Sequence, residues 1–141
     1  MSHELIQRFI DALHRLEDGR DLDPIVVTFA NDCNISNVAA PRTYTGQDGA
    51  STFWTHYRAA FGDIHSSFRN VIVDGDHAAL EWTTTGTDTA GDPIEYDGVS
   101  ILDMDGGAMT RFRAFFDSAH LGQQMQPPEE SAAGSSTGRA A

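Results

Sequence analysis

Between Phe68 and Phe116 the chain falls into four β-rich runs with alternating side-chain character: Phe68–Asp74, Ala78–Asp88, Pro93–Asp103 and Met109–Phe116. The breaks between them carry glycine, as Asp74-Gly75-Asp76, Ala90-Gly91-Asp92-Pro93 and Asp105-Gly106-Gly107. Asp-Gly and Gly-Gly between such runs are strong hairpin signals, so this half of the chain predicts a meander of strands. The residues before it read mostly as helix. Leu5, Ile6, Phe9, Ile10, Leu13 and Leu16 recur along one helix face, with Ser2 placed as N-cap and Gly19 as stop. A second helix is expected from Asp23-Pro24 to about Phe29, with proline in its first turn. Cys33–Asn37 reads as a short strand, followed by a loop through Pro41. Thr45-Gly46-Gln47-Asp48 resembles a capping box opening a third helix that carries Phe53, Trp54, Tyr57 and Phe61 on one face. Asp117 is placed to cap a short last helix ending near Met125.

Helices followed by a meander imply an α+β fold, with the helices on one face of an antiparallel sheet. A curved sheet covered in this way encloses a pocket. The chain has 141 residues, enough for one domain with a single core. The stretch from Gln126 to Ala141, QPPEESAAGSSTGRAA, holds no large apolar residue, so a disordered polar tail is expected there.

Charge narrows the chemistry. The net charge is −12, and all nine basic residues are Arg. Without Lys the chain has no Schiff-base nucleophile and no Walker-type phosphate loop of its own. A basic face for nucleic acid is missing as well. No apolar run approaches the roughly 18 residues of a membrane span, and the N-terminus lacks the order of a secretory signal. The single cysteine, Cys33, excludes an internal disulfide, and a cytoplasmic location is expected. The six His show neither H-x-x-H nor H-x-E spacing, G-x-S-x-G and G-x-G-x-x-G do not occur, and Cys33 has no His near it in sequence. No metal and no cofactor are expected.

The order helix, helix, short strand, helix and four-strand meander resembles the nuclear transport factor 2-like superfamily, which holds ketosteroid isomerases, limonene epoxide hydrolases and SnoaL-like polyketide cyclases. The residues carrying the resemblance are Gly19 to Asn37, Thr45-Gly46-Gln47-Asp48, Asp105-Gly106-Gly107 and Arg111-Phe112-Arg113-Ala114-Phe115-Phe116-Asp117. The resemblance implies a SnoaL-like domain over residues 1–125, shaped as a cone of three N-terminal helices packed on a curved antiparallel sheet. It also implies a homodimer. The functional positions of those relatives map poorly. The isomerase base falls on Asn37, its oxyanion-holding Tyr near Ala12 or Leu13, and its protonated acid near Gly98. The epoxide hydrolase Arg-x-Asp falls near Trp82-Thr83-Thr84 and its second Asp on Ala114, which is also close to where the cyclase acid falls. Only Asn37 agrees, with a residue that helps hold water in the epoxide hydrolases.

Strand parity sorts the meander without reference to any family. One face shows Leu80, Trp82, Thr84, Tyr96, Gly98, Ser100, Leu102, Phe112, Ala114 and Phe116. The other shows Glu81, Thr83, Asp97, Val99, Arg111 and Arg113. The first face is the more aromatic, so it is expected to lie under the helices. The expected ligand-binding set is Trp54, Tyr57, Trp82, Thr84, Tyr96, Ser100, Phe112, Ala114 and Phe116, with Gly98 and Ala114 leaving space. A solid aromatic core is the alternative. An aromatic wall with a few hydroxyls suits a small, mostly apolar molecule. Asn37 with Tyr57 or Tyr96 is the candidate for holding a substrate oxygen, and Asp97 or His56 for moving a proton. Asp97 falls on the outer face by parity, and a bulge beside Gly98 would turn it inward. The outer face, with Val99, Phe115, Arg111 and Arg113, is the expected dimer surface. Isomerisation, cyclisation or hydration of the bound molecule, binding without turnover, and a partner-binding module all remain open.

Overall fold

The computed structural model describes residues 2–125. The expected polar tail, 126–141, lies outside the described residues. Helix α1 (Ser2–Gly19) is followed by a single turn, α2 (Asp23–Val26). Strands β1 (Phe29–Asn37) and β2 (Ala40–Thr45) precede α3 (Gly46–Ala59). Then come β3 (Phe61–Asp74), β4 (His77–Asp88), β5 (Pro93–Asp105), β6 (Ala108–Phe116) and α4 (Ser118–Met125).

These six strands form one curved sheet in the order β2-β1-β6-β5-β4-β3. The meander β3 to β6 is antiparallel as expected, with Gly75, Gly91, Gly106 and Gly107 at the breaks all in the left-handed region. The sheet is mixed, however: β1 lies parallel to β6, pairing Ile35 with Phe112 and Asn37 with Ala114. The fold is thus α+β, but its helices are four among the described residues, mostly short, and α3 enters only after the first hairpin.

Three local readings change. The loop through Pro41 is an edge strand, where proline's missing donor is tolerated because one side of the strand faces no partner. Strand β3 starts at Phe61, seven residues before its legible alternation. Thr45 is the N-cap of α3 but makes no side-chain cap bond, and Gln47 Nε2 instead donates to the Phe29 carbonyl at 2.8 Å. Helix α1 ends as its glycine suggests, although the left-handed residue is Arg20, with φ of 57°. Its N–H closes on the Leu16 carbonyl at 3.0 Å. Ser2 Oγ donates to the Gly75 carbonyl at 2.9 Å, pinning the start of α1 to the first turn of the meander.

The main core joins the apolar stripe of α1 (Leu5, Phe9, Leu13 and Leu16) to Ile35, Trp54, Leu80, Leu102 and Phe112. A smaller cluster, Phe61, Ile64, Trp82, Ile94, Tyr96 and Leu121, sits at the other end of the sheet's inner face. Asp117 caps α4, accepting the His120 N–H at 2.9 Å. Gln124 then pairs with both backbone groups of Glu95, each at 2.8 Å, which holds α4 against β5.

Candidate functional site

Between α1, α3 and the inner face of the sheet lies a cavity of about 500 Å³. Strand parity and helix phase, the two simplest rules of side-chain direction, decide what lines it. Trp82 and Thr84 come from β4, Tyr96 and Ser100 from β5, and Phe112, Ala114 and Phe116 from β6. Helix α3 contributes Phe53, Trp54 and Tyr57, α1 contributes Phe9 and Leu13, and α4 adds Leu121. The nine positions expected around a pocket therefore all face this space. Gly98 does not leave room in it. A Cβ there would stand 2.5 Å from Trp82 Cζ2, so the glycine is the seat of the indole ring. With the ring seated, Trp82 Nε1 donates to Ser100 Oγ at 2.9 Å, and its centroid lies 5.5 Å from that of Tyr96 at near right angles.

The three residues expected to do chemistry are dispersed. Asn37 lines the cavity, beside Ala114 on the neighbouring strand, and its Oδ1 accepts the Ala39 N–H at 2.8 Å. His56 is exposed at the rim. Asp97 is not in the cavity. The β4–β5 register runs unbroken through Thr83↔Asp97 and Trp82↔Gly98, so no bulge inverts it. The bulge in this part of the sheet lies instead at Arg69 on β3, between Phe68↔Trp82 and Asn70↔Glu81. It sends the guanidinium across the outer face to Thr83, to Glu81 at 3.0 Å and to Asp97 at 3.2 Å. The Thr83 hydroxyl, and then Arg69, hold the Asp97 carboxyl below the usual range, in the ionised form of a surface network.

An acid that the sequence reading passed over stands behind the inner wall. Glu17, near the end of α1, is 1% exposed. Its Oε2 accepts the Tyr57 hydroxyl at 2.7 Å and the Ser66 hydroxyl at 2.6 Å, while Oε1 accepts the Ser66 N–H at 2.8 Å. Ser66 Oγ in turn lies 2.8 Å from Thr84 Oγ1. Since Ser66 gives its proton to Glu17, Thr84 is the donor in that second contact. Tyr57, Ser66 and Thr84 all line the cavity, so its hydroxyls converge on one carboxylate. Burial, then the neighbouring Tyr96 and Glu17, push the Tyr57 phenol well above its ordinary range. Burial, and then the Glu17 charge, push Tyr96 upward too. Both phenols are thus held as neutral donors. One signal for this group was present. Glu17 occupies the i+4 position after Leu13 on the apolar stripe, where a charge is out of place. Ser66 gave none, because the first half of β3 did not read as strand.

Behind Glu17 the network reaches the surface. His14 Nε2 donates to the Ser66 carbonyl at 2.8 Å, since a carbonyl can only accept. The His14 ring stacks on that of half-exposed His65, with centroids 4.8 Å apart and 15° between planes. Nitrogen and oxygen atoms of His14, Glu17 and His65 fall within 4.8 Å of one another. The Glu17 carboxylate of this trio already accepts from three donors.

A model of the SnoaL-like domain matches residues 6–112. Comparison with curated proteins gives no match. Among solved structures, TerC co-crystallised with polyporic acid superposes with a TM-score of 0.78 at 21% identity, over 88% of this chain and 97% of that one. An NTF2-like protein of unknown function from Burkholderia pseudomallei gives 0.79 at 18%, over 89% and 98%. An epoxide hydrolase from M. tuberculosis resembling limonene epoxide hydrolase gives 0.69 at 16%, over 93% and 94%. At these identities the structural likeness is one of fold, whereas the family model spans most of the chain: the protein belongs to the SnoaL-like domain family, within the nuclear transport factor 2-like superfamily.

Proposed function

We propose that this chain binds a small, mostly apolar molecule in the cavity between α1, α3 and the inner face of the sheet. The carrying observation is a space of about 500 Å³ walled by aromatic rings and punctuated by hydroxyl-bearing residues. That size and that balance of apolar wall to polar points are those of small-molecule sites. The crystallisation of TerC with polyporic acid supports the reading by analogy of fold. In it, the nine wall positions from Trp54 to Phe116 grip the apolar body. Asn37 and the hydroxyls of Thr84 and Tyr96 meet a ligand oxygen, and His56 stands at the entrance. Isomerisation, cyclisation or hydration by acid–base chemistry suits such a site, and binding without turnover is the alternative. The chain acts in a reducing cytoplasm, which suits the single buried thiol of Cys33. Among the described residues, no helix is long and apolar enough to cross a membrane.

Titration with 2-methoxynaphthalene, followed by the fluorescence of Trp54 and Trp82, tests the cavity. Saturable change at one molecule per chain is expected, with Ala114→Trp abolishing it by filling the space. No saturation, or equal binding by the variant, refutes the reading.

A homodimer through the outer sheet face is the second reading. Ile72 (62% exposed) and Phe115 (40% exposed) flank a shallow groove with Val99 there, ringed by the Arg69 network. Light scattering on Phe115→Asp decides it: the wild type is expected to run as a dimer and the variant as a monomer.

A further inference from the structure

We propose that Glu17 is the proton acceptor of the cavity, reached from the bound molecule through the hydroxyls of Ser66 and Tyr57, and that the molecule is a phenol or an enolisable carbonyl compound. This rests on the cavity being a ligand site. The geometry supplies each part. Both relay residues line the cavity, and their hydroxyls end on the same atom, Glu17 Oε2, at 2.6 and 2.7 Å. Oε1 is held separately by the Ser66 N–H, which fixes the carboxylate's orientation. Among the described residues Glu17 has no ion pair. This buried carboxylate, satisfied by two hydroxyls and one amide with no cation in contact, is the common end of both hydroxyl paths.

The charged and titratable groups around it are few. From α1 there is His14, from β3 His65, from α3 Tyr57 and Arg58, and from β5 Tyr96. Arg58 is directed elsewhere, donating to the Phe61 carbonyl at 3.2 Å.

The transfer balances without a co-reactant. The O–H or α-C–H bond of the molecule breaks, and its proton moves to Ser66 Oγ or Tyr57 Oη as that hydroxyl's own proton passes to Glu17 Oε2. The electron pair remains on the molecule as a phenolate or enolate. Tyr96, a neutral donor in the same wall, faces the oxygen on which that charge collects. The proton returns by the reverse path, to the same atom or to another, the latter being an isomerisation. The stacked His14 and His65 stand within 4.8 Å of the Glu17 carboxylate, with His65 at the surface.

A probe separates binding from proton transfer. 2-Naphthol becomes a strong acid on excitation, and emits as naphtholate only where an acceptor takes its proton. 2-Methoxynaphthalene has the same body and no proton. In the full chain, bound 2-naphthol is expected to show the naphtholate band, excited to the red of tryptophan absorption. In Glu17→Gln that band is lost while 2-methoxynaphthalene still binds. The Ser66→Ala/Tyr57→Phe double variant, which keeps the acid and removes the relay, is expected to lose it as well. If neither naphthalene binds the wild type, the cavity reading fails. If both bind but the wild type emits only as neutral naphthol, or if both variants keep the naphtholate band, the relay is overturned.

Discussion

Replacing Gly98 by alanine adds one carbon where two neighbours already stand. The new Cβ would lie 2.5 Å from Trp82 Cζ2 and 2.7 Å from the Phe115 carbonyl oxygen on the adjacent strand. Neither distance is tolerable for carbon, and the second neighbour is backbone, which cannot step aside alone. Either β5 and β6 part or the Trp82 ring moves into the cavity. Over-packing of this kind costs about 1–3 kcal/mol. Moving the ring also breaks the Nε1–H bond to Ser100 and orphans a buried donor, worth about 1–3 kcal/mol more. The combined loss is about 2–6 kcal/mol, which at a urea slope of about 2 kcal/mol per molar moves the midpoint down by about 1–3 M. Urea unfolding by circular dichroism measures the shift, and Trp82 emission and 2-methoxynaphthalene binding report the cavity in the same sample. A variant with an unchanged midpoint and unchanged ligand binding would show that the indole is not seated on Gly98, and the wall drawn above would be wrong.

Other perturbations probe the network and the surface. Glu17→Ala leaves the Tyr57 hydroxyl and both Ser66 donors without their acceptor, so a loss of about 3–5 kcal/mol is expected in thermal or urea unfolding, against about 1–2 kcal/mol for Glu17→Gln. A loss below 1 kcal/mol for alanine would mean that the carboxylate is not held as described. Tyr57 and Tyr96 have folded pKa values raised above the unfolded value of about 10. Their contribution is therefore intact below about pH 10 and falls as pH climbs through the folded values, because the unfolded chain loses those protons first. Tyrosinate absorbance from two of the three tyrosines should consequently appear together with unfolding rather than before it. On the outer face, Asp97 and Glu81 have lowered pKa values, so their small contribution is present above the ordinary carboxylate range and lost as pH falls through the folded values. Arg69→Ala should flatten that acid limb, and salt should weaken it in the wild type.

How far the chain could be read depended on whether local pattern or distant pairing set each feature. The four meander strands were legible because alternation and Asp-Gly turns are written within each run, and the same alternation put Trp82, Tyr96, Ser100 and Phe116 on one face. The parallel β1–β6 pair was not legible, since nothing local to Cys33–Asn37 says which later strand will lie beside it. Edge strand β2 was hidden by Pro41, which argues against a central strand but not against an edge. The first half of β3, Phe61–Ser67, follows directly on α3 with one intervening residue, so no turn residue marked the change. That omission removed Ser66 from view, and with it the reason for a glutamate on the apolar stripe of α1. Asp97 drew attention for the opposite reason: it is an acid beside a glycine in a strand, yet the glycine serves packing of Trp82 and leaves the register intact.

The resemblance read from the sequence would place the relatives' acids at or near Asn37, Thr84, Gly98 and Ala114, none of them acidic here, and the placement of Glu17 gives that emptiness a physical meaning. A carboxylate projecting from the sheet into this cavity would stand among Trp54, Phe112 and Phe116 with little to hydrate it, and its position would be tuned by desolvation. Glu17 instead approaches from the helix layer, at the one edge of the wall where Ser66, Thr84 and Tyr57 already supply donors. Position 114 on the sheet can then be small, and the space beside Ala114 remains open to the molecule that fills it. Acid and void are therefore two consequences of one arrangement. Restoring an aspartate at Ala114 should raise that new carboxyl's pKa by burial, destabilise the fold at neutral pH relative to acid, and compete with the bound molecule for the same volume. Stability that rises for Ala114→Asp as pH is lowered from 7 to 5, measured against the wild type, would support this; a parallel pair of curves would show that position 114 is better solvated than the cavity walls imply.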